Sequence, residues 1–150
     1  MKAINSVEIK FESRSNNEAF ARSAVSAFVA QLDPTVEEII DIKTAVSEAV
    51  TNCIVHAYKD GIGWIYIRAS IYEDSSIVIK IRDKGCGIED IDKAMEPMFT
   101  TAPQDERAGL GFAVMQSFMD KVNVRSKLGK GTTVTLKKRM LSRGQDGQQR

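Results

Sequence analysis

The sequence contains few of the residues that bind metals or form disulfide bonds. Its 150 residues include one histidine and two cysteines, Cys53 and Cys86, whose separation matches no zinc-ligand spacing. We therefore expect no zinc site, and we expect both thiols to be reduced.

The sequence also lacks an excess of charge of either sign. Its 21 lysine and arginine residues nearly balance 20 aspartate and glutamate residues, which gives a formal net charge of +1. Proteins that bind nucleic acid or anionic membranes through phosphate contacts need clustered Lys and Arg. We therefore expect neither kind of partner, although a balanced net charge does not exclude a local basic patch.

A third absence is that of a long apolar run. No stretch approaches the roughly 18 apolar residues that a membrane span requires. The first residues also lack the charged and then apolar pattern of a signal peptide. With 43% hydrophobic and 27% charged residues, the chain is predicted to be a cytoplasmic domain with a single core.

The spacing of apolar residues predicts alternating strands and helices. The longest helix has the clearest start, because Thr35 and Glu38 match a capping box, in which two side chains satisfy backbone amides of the first turn. The predicted order is a strand at 7–11, a helix from Ser15 or Asn16 to about Leu32, a helix from 35 to about 57, strands at 63–73 and 76–83, a short helix, a loop at 96–108, a helix at 109–119 and a hairpin around Gly129–Gly131.

These elements predict an α+β fold. Strands precede and follow the helices along the sequence, and some of them form antiparallel hairpins. This order favours a two-layer α/β sandwich, in which one mixed, mostly antiparallel sheet has helices on one face. Residues 1–141 are expected to form a single domain. The polar, glycine-rich residues 142–150 are expected to be a disordered tail.

Three polar residues lie four positions apart on the longest predicted helix: Glu48, Asn52 and His56. This spacing places them on one side of the helix, opposite apolar residues. Such a stripe is either exposed to solvent or part of a binding site. We assign His56 to packing at the helix end.

An aspartate and two glycines end the predicted strand at 76–83. Asp83 follows β-branched residues, and Gly85 and Gly87 let the backbone approach a flat ligand, because glycine has no Cβ. A buried carboxylate accepts a hydrogen bond from the 6-amino group of adenine, whereas guanine has a carbonyl oxygen there. The segment favours adenine, although such turns also occur for conformational reasons alone.

Two more glycine segments follow. Gly109, Leu110 and Gly111 open a predicted helix, and amides at a helix start favour phosphate oxygens. Gly131 and Thr132 precede the last strand, where a hydroxyl can contact a base. Each segment also has a simpler explanation, a glycine-rich helix start or a hairpin turn.

The order of these four segments resembles the N box and the three glycine boxes of the GHKL superfamily of ATP-binding domains, which have the Bergerat fold and include gyrase, sensor histidine kinases and mismatch-repair proteins. Within that superfamily the chain is similar to the anti-sigma F factors of spore-forming bacteria, a family of small serine kinases. The segments that carry this similarity are "NNEAFARSAVSAFVAQLDPT", "KTAVSEAVTNCIVHAY", "EPMFTT" and "GLGFAVMQSFMD". The resemblance covers most of the chain.

The resemblance implies ATP and Mg²⁺ as cofactors. It implies that Asn52 is a ligand of Mg²⁺, that Glu48 is the general base and that Asp83 binds adenine. Arg107 would reach the γ-phosphate, although without the neighbouring glycines it would be an ordinary loop arginine. The other implied nucleotide contacts are Gly85, Gly87, Thr100, Thr101, Gly109, Leu110, Gly111 and Thr132.

The resemblance also implies protein partners. Members of the family hold a sporulation sigma factor, sigma F, away from RNA polymerase, and they phosphorylate a serine of an anti-anti-sigma factor, which inactivates that antagonist. They act as homodimers. Arg22 matches a partner-contact position, where a guanidinium suits an acidic patch, but a surface arginine has an ordinary explanation as well.

Two other functions stay open. A sensor histidine kinase needs a phosphoacceptor histidine on a dimerising helix pair, and the one histidine, His56, lies within the nucleotide helix. A nucleotide-regulated binding module needs no general base, so Glu48 distinguishes such a module from a kinase.

Overall fold

The computed structural model describes residues 2–96 and 111–141 of the chain. Most of the loop predicted at 96–108, and the whole tail at 142–150, lie outside these residues. The described elements are β1 (Ala3–Glu12), α1 (Asn17–Val29), α2 (Val36–Asn52), β2 (Trp64–Tyr72), β3 (Ser76–Asp83), α3 (Ile91–Ala94), α4 (Gly111–Phe118), β4 (Lys121–Lys127) and β5 (Gly131–Arg139).

The strands form one sheet in the order β1-β2-β3-β5-β4. The α+β class is confirmed, but every pairing among the described strands is antiparallel, so the prediction of a mixed sheet was wrong in this respect. The reason lies in the connections. Two helices separate β1 from β2 and return the chain to the end of the sheet that it left, so Glu12 pairs with Trp64 and the strands run in opposite directions.

The core lies between the sheet and the helices. Ile77, Ile79 and Ile81 alternate along β3 and are at most 1% exposed, because successive strand residues point to opposite faces. The other sheet face carries exposed charged residues such as Arg68 and Lys80. The helix residues that complete the core are Ala21, Val25, Val29, Ile42, Ala45, Val46, Ala49, Val50 and Met115.

The predicted capping box holds the start of α2. Glu38 N donates to Thr35 Oγ1 at 3.0 Å, and Thr35 N donates to Glu38 Oε1 at 2.8 Å. The second Glu38 oxygen accepts from Leu141 N at 2.8 Å, which attaches the chain after β5 to this helix. Among the described residues, no helix combines the length and the apolar character that crossing a lipid bilayer would require.

The other helix ends differ from the predictions. Asn16 precedes α1 but makes no capping hydrogen bond with its side chain. α2 does not continue as an α-helix to residue 57; the segment Cys53–Ala57 is a π-helical turn. Such a turn adds one residue per turn, and it frequently marks functional sites.

Candidate functional site

A cavity of about 1120 Å³ opens between the C-terminal half of α2 and the ends of β3, β4 and β5. Small-molecule sites commonly enclose about 300–1,000 Å³, so a ligand the size of a nucleotide has room here. The fold thus brings the long helix and the glycine segments to one place. The predicted site residues that line the cavity are Glu48, Asn52, Asp83, Gly87, Gly111 and Thr132.

α2 and its π-helical turn form one wall of the cavity. Glu48 is only 4% exposed, although it is a charged residue. Asn52 and His56 also line the cavity, and the packing role of His56 stays a prediction. A Cβ on Gly111 would lie 3.1 Å from Asn52 Oδ1. Glycine at this position therefore lets α4 begin directly against the Asn52 amide.

Asp83 lies on a second wall of the cavity, at the end of β3 and next to the π-helical turn, and is 5% exposed. Its Oδ1 accepts from Gly85 N at 2.9 Å and from Thr132 N at 3.2 Å. The Cys53 thiol donates to Oδ2 at 3.5 Å, which is a weak contact. Oδ1 is therefore fully used by backbone amides, and Oδ2 keeps capacity to accept from a ligand.

Burial sets the electrostatics of this wall. It raises the pKa of the Asp83 carboxyl above its usual value, and the hydrogen bonds from Gly85, Cys53 and Thr132 offset only part of the rise. Burial, followed by the nearby Asp83 charge, holds the pKa of the Cys53 thiol well above its usual value. Cys53 is consequently a neutral donor to Asp83.

The glycines beside Asp83 bring pieces of backbone together. A Cβ on Gly85 would lie 2.6 Å from the carbonyl carbon of Ala57, and one on Gly87, whose φ is +79°, would lie 2.9 Å from that of Lys127. We expected these glycines to make room for a ligand. Instead, protein backbone occupies the space beside each of them, and they shape the cavity by closing the loop against its neighbours.

Two residues of the site had no signal in the sequence. Ser126 of β4 lines the cavity and bonds Ile88 N at 2.7 Å. The Tyr58 hydroxyl donates to Trp64 O at 2.7 Å and accepts from Lys84 N at 2.6 Å, which holds the π-helical turn to the strand ends. Both contacts depend on the strand register and not on a local motif.

Some predicted site residues lie outside the described part of the chain or outside the cavity. Arg22 on α1 pairs with Glu18 Oε2 at 3.3 Å and lines a separate groove with Lys43 of α2. Gly85 is not among the residues that line the cavity. The predicted residues outside the described ranges are Thr100, Thr101, Arg107, Gly109 and Leu110.

Comparisons with known proteins show the family of the chain. The histidine kinase-like ATPase domain family matches residues 11–138. An anti-sigma F factor of Caldanaerobacter subterraneus is 62% identical over 134 residues, which cover 89% of this chain and 93% of that relative. The chain belongs to the anti-sigma F factor family. A family member from Clostridium beijerinckii is 56% identical over 136 residues, covering 90% of this chain and 94% of its own.

Solved structures share the fold at lower identity. The RsbU and RsbW domains of a Mycobacterium tuberculosis protein match with a TM-score of 0.67 and 20% identity, over 91% of this chain and 32% of that chain. The blue-light activated histidine kinase of Erythrobacter litoralis matches with a TM-score of 0.59 and 23% identity, over 83% of this chain and 42% of that chain. This likeness shows the fold alone.

Proposed function

We propose that the chain is an ATP-dependent serine kinase that also binds and inhibits a sigma factor. The observation that carries the proposal is a cavity lined by a buried glutamate, an asparagine and a buried aspartate. A helix rises about 1.5 Å per residue, so Glu48 lies about 7.5 Å along the helix from Cys53, which contacts Asp83. The cavity thus has a base end at Asp83 and a phosphate end at Glu48.

At the base end, Asp83 binds adenine. Its Oδ1 accepts two backbone amides, which fixes the carboxylate plane. Its Oδ2 accepts a hydrogen from the 6-amino group of the base. This contact lies in a buried site, where an unmade hydrogen bond is costly, so it discriminates among bases.

At the phosphate end, Asn52 fits Mg²⁺. This ion takes oxygen ligands and keeps several waters, so one side-chain oxygen is enough when phosphates supply others. The ion would neutralise charge on the phosphates during transfer. The family motifs assign further phosphate contacts to Thr100, Thr101, Arg107, Gly109 and Leu110.

Glu48 is the general base. Its carboxylate takes the proton of a serine hydroxyl while that oxygen bonds to the γ-phosphorus. The bond from this phosphorus to the β–γ bridging oxygen breaks, and ADP leaves. A positioned base contributes about 10²–10⁴-fold to such a step. A binding module without transfer chemistry would not need a carboxylate buried at this place.

The partners follow from the family. Its members carry the name anti-sigma F factor, and we infer that this chain binds the sporulation sigma factor sigma F and phosphorylates a serine of its anti-anti-sigma antagonist. Arg22 and Lys43 line one groove between α1 and α2, which suits an acidic partner. The protein would act as a homodimer in the cytoplasm.

The test is a transfer assay with γ-labelled ATP, Mg²⁺ and the candidate antagonist. We expect label on a serine of the antagonist, and tighter binding of sigma F with ATP than with ADP. Label on His56 of the chain itself would indicate a histidine kinase instead. ATP binding that changes sigma affinity without any transfer would leave a nucleotide-regulated binding module.

A further inference from the structure

Ser126 of β4 is the centre of a hydrogen-bond cluster at the base end of the cavity. Its Oγ lies 2.7 Å from Ile88 N, 3.1 Å from Gly131 O and 2.7 Å from Thr132 Oγ1. Ser126 and Thr132 both line the cavity. Thr132 N is also one of the two amides that bond Asp83. The cluster therefore connects the β4–β5 hairpin, the loop after β3 and the adenine-binding carboxylate.

One set of proton positions makes all three contacts of Ser126 hydrogen bonds. A serine hydroxyl has one hydrogen to donate and two lone pairs that accept. The Ile88 amide can only donate and the Gly131 carbonyl can only accept, so Ser126 gives its hydrogen to Gly131. The contact with Thr132 is then a hydrogen bond only if Thr132 donates to Ser126. This arrangement uses the full capacity of Ser126.

Thr132 is consequently left with lone pairs and no hydrogen to offer a ligand. Asp83 Oδ2, on the same wall, is also an acceptor when the carboxylate is ionised. A purine with a 6-amino group has two hydrogens on that nitrogen to give to such acceptors. A 6-oxo purine has lone pairs there, and polar groups that a buried site leaves unpaired lower affinity strongly.

We propose that Ser126 is a specificity-determining residue of the nucleotide site. It takes the hydroxyl proton of Thr132, fixes that hydroxyl as an acceptor and so favours 6-amino over 6-oxo purine nucleotides. Ser126 acts by positioning Thr132 and does not need to touch the base. The inference rests on the proposed nucleotide site and adds to the discrimination that Asp83 provides.

The test compares the affinities of ATP and inosine triphosphate, which carries an oxygen at position 6. The wild type is expected to prefer ATP. In Ser126→Ala, the Thr132 hydroxyl is free to rotate and to donate to the 6-oxo group. The preference should then fall about tenfold, the size of one hydrogen bond. Ser126→Thr keeps the hydroxyl and should restore the preference.

Ser6→Ala is the matched control. Ser6 Oγ lies 2.9 Å from Ser70 Oγ, so this variant also breaks a hydroxyl pair between neighbouring strands, but neither residue lines the cavity. Its preference for ATP should equal that of the wild type. A fall in the control as large as in Ser126→Ala would assign the effect to the sheet as a whole and contradict the proposal.

A second variant covers the case in which Ser126→Ala does not fold. Thr132→Val removes the threonine hydroxyl at nearly constant shape and should lower the preference to a similar extent. Where Ser126→Ala does fold, adding it to Thr132→Val should lower the preference no further, because the hydroxyl that Ser126 orients is gone. A wild-type preference in either single variant would overturn the inference. A wild type that binds no ATP would instead contradict the proposed function.

Discussion

The two ends of β3 carry the same local turn but differ in what surrounds it. Asp74, before the strand, accepts from Ser76 N at 3.1 Å, and Asp83, at its end, accepts from Gly85 N at 2.9 Å. In both turns a carboxylate bonds the amide two residues further on. The two carboxylates differ in their other partners, because Asp83 also accepts hydrogen bonds from Thr132 N and from the Cys53 thiol, which belong to other elements.

The two carboxyl groups titrate in opposite directions as a result. The Ser76 hydroxyl is the main cause that lowers the pKa of Asp74, whereas burial is the main cause that raises the pKa of Asp83. A lowered carboxyl pKa means that the ionised group stabilises the folded state, and a raised one means that the ionised group destabilises it. The same turn therefore stabilises the fold at one end of β3, whereas at the other end its destabilising charge agrees with the proposed role of Asp83 in binding, since perturbed groups are typical of functional sites.

The largest effect is expected for Glu48, at the phosphate end of the cavity, because its proposed role is in the transfer reaction and not in binding alone. Glu48→Gln removes the proposed general base but keeps the shape of the side chain, so transfer to the antagonist should fall by about a hundredfold or more while ATP affinity is retained. Labelled transfer and calorimetric binding measure the two quantities. Glu37→Gln, on the exposed first turn of the same helix, is the control. Unchanged transfer in Glu48→Gln would remove this residue from the mechanism.

The second prediction concerns the replacement of the aspartate at either end of β3, Asp74 or Asp83, by asparagine. Asp83→Asn keeps an oxygen for the two backbone amides but removes the charged acceptor of the base, so ATP affinity should fall about tenfold to a hundredfold. Asp74→Asn should leave ATP affinity unchanged. Titration calorimetry with ATP decides between them. Equal losses in the two variants would show that Asp83 has no special role in binding.

The stabilities of the same two variants should change in opposite directions. At neutral pH, Asp83→Asn should be at least as stable as the wild type, because it removes a buried charge, while Asp74→Asn should be less stable. Both differences should vanish on acidification, since each wild-type carboxyl then becomes neutral. The Asp83 difference should vanish at the higher pH, because its pKa is raised and that of Asp74 is lowered. Urea denaturation at a series of pH values tests this order, which a reversed result would refute.

A smaller effect is expected for Asn52→Ala. Loss of the proposed Mg²⁺ ligand should lower ATP affinity about tenfold when Mg²⁺ is present, and should change it little when a chelator has removed the ion. Binding curves in both conditions measure the difference. If the variant gained as much affinity from Mg²⁺ as the wild type does, Asn52 would not be a ligand.

The smallest effect is expected away from the cavity. Arg22→Ala should weaken binding of sigma F or of the antagonist by up to about fivefold, the usual range for exposed ion pairs, and leave ATP affinity unchanged. Arg14→Ala is the control, because Arg14 is an exposed arginine that likewise pairs with a glutamate, Glu12, at 2.8 Å. Should nucleotide affinity fall in Arg22→Ala, the groove between α1 and α2 would have to communicate with the cavity.

Local chemistry made part of this molecule predictable from the sequence. The capping box of Thr35 and Glu38 was confirmed because its two hydrogen bonds join residues three positions apart. The turn at Asp83 was recognisable for the same reason. The hairpins followed from alternating apolar residues and turn signals.

Contacts set by strand register were not predictable in this way. Ser126 pairs with Thr132 only through the register of β4 and β5, and a lone serine in an alternating strand gives no sign of it. Gly85 lies so close to the Ala57 backbone that a Cβ would not fit between them. Because Ala57 is distant in the sequence, the need for glycine at this position is visible only in the fold. The π-helical turn after α2 likewise had no local signal, and its Ala57 carbonyl accepts from Cys86 N, in the loop after β3, at 3.1 Å.

The most direct test of the account is a crystal structure with Mg²⁺ and a non-hydrolysable ATP analogue. We predict that the 6-amino group lies within hydrogen-bond distance of Asp83 Oδ2, and that the triphosphate extends toward Asn52 and Glu48. A base bound elsewhere, with Asp83 turned away from it, would contradict the account.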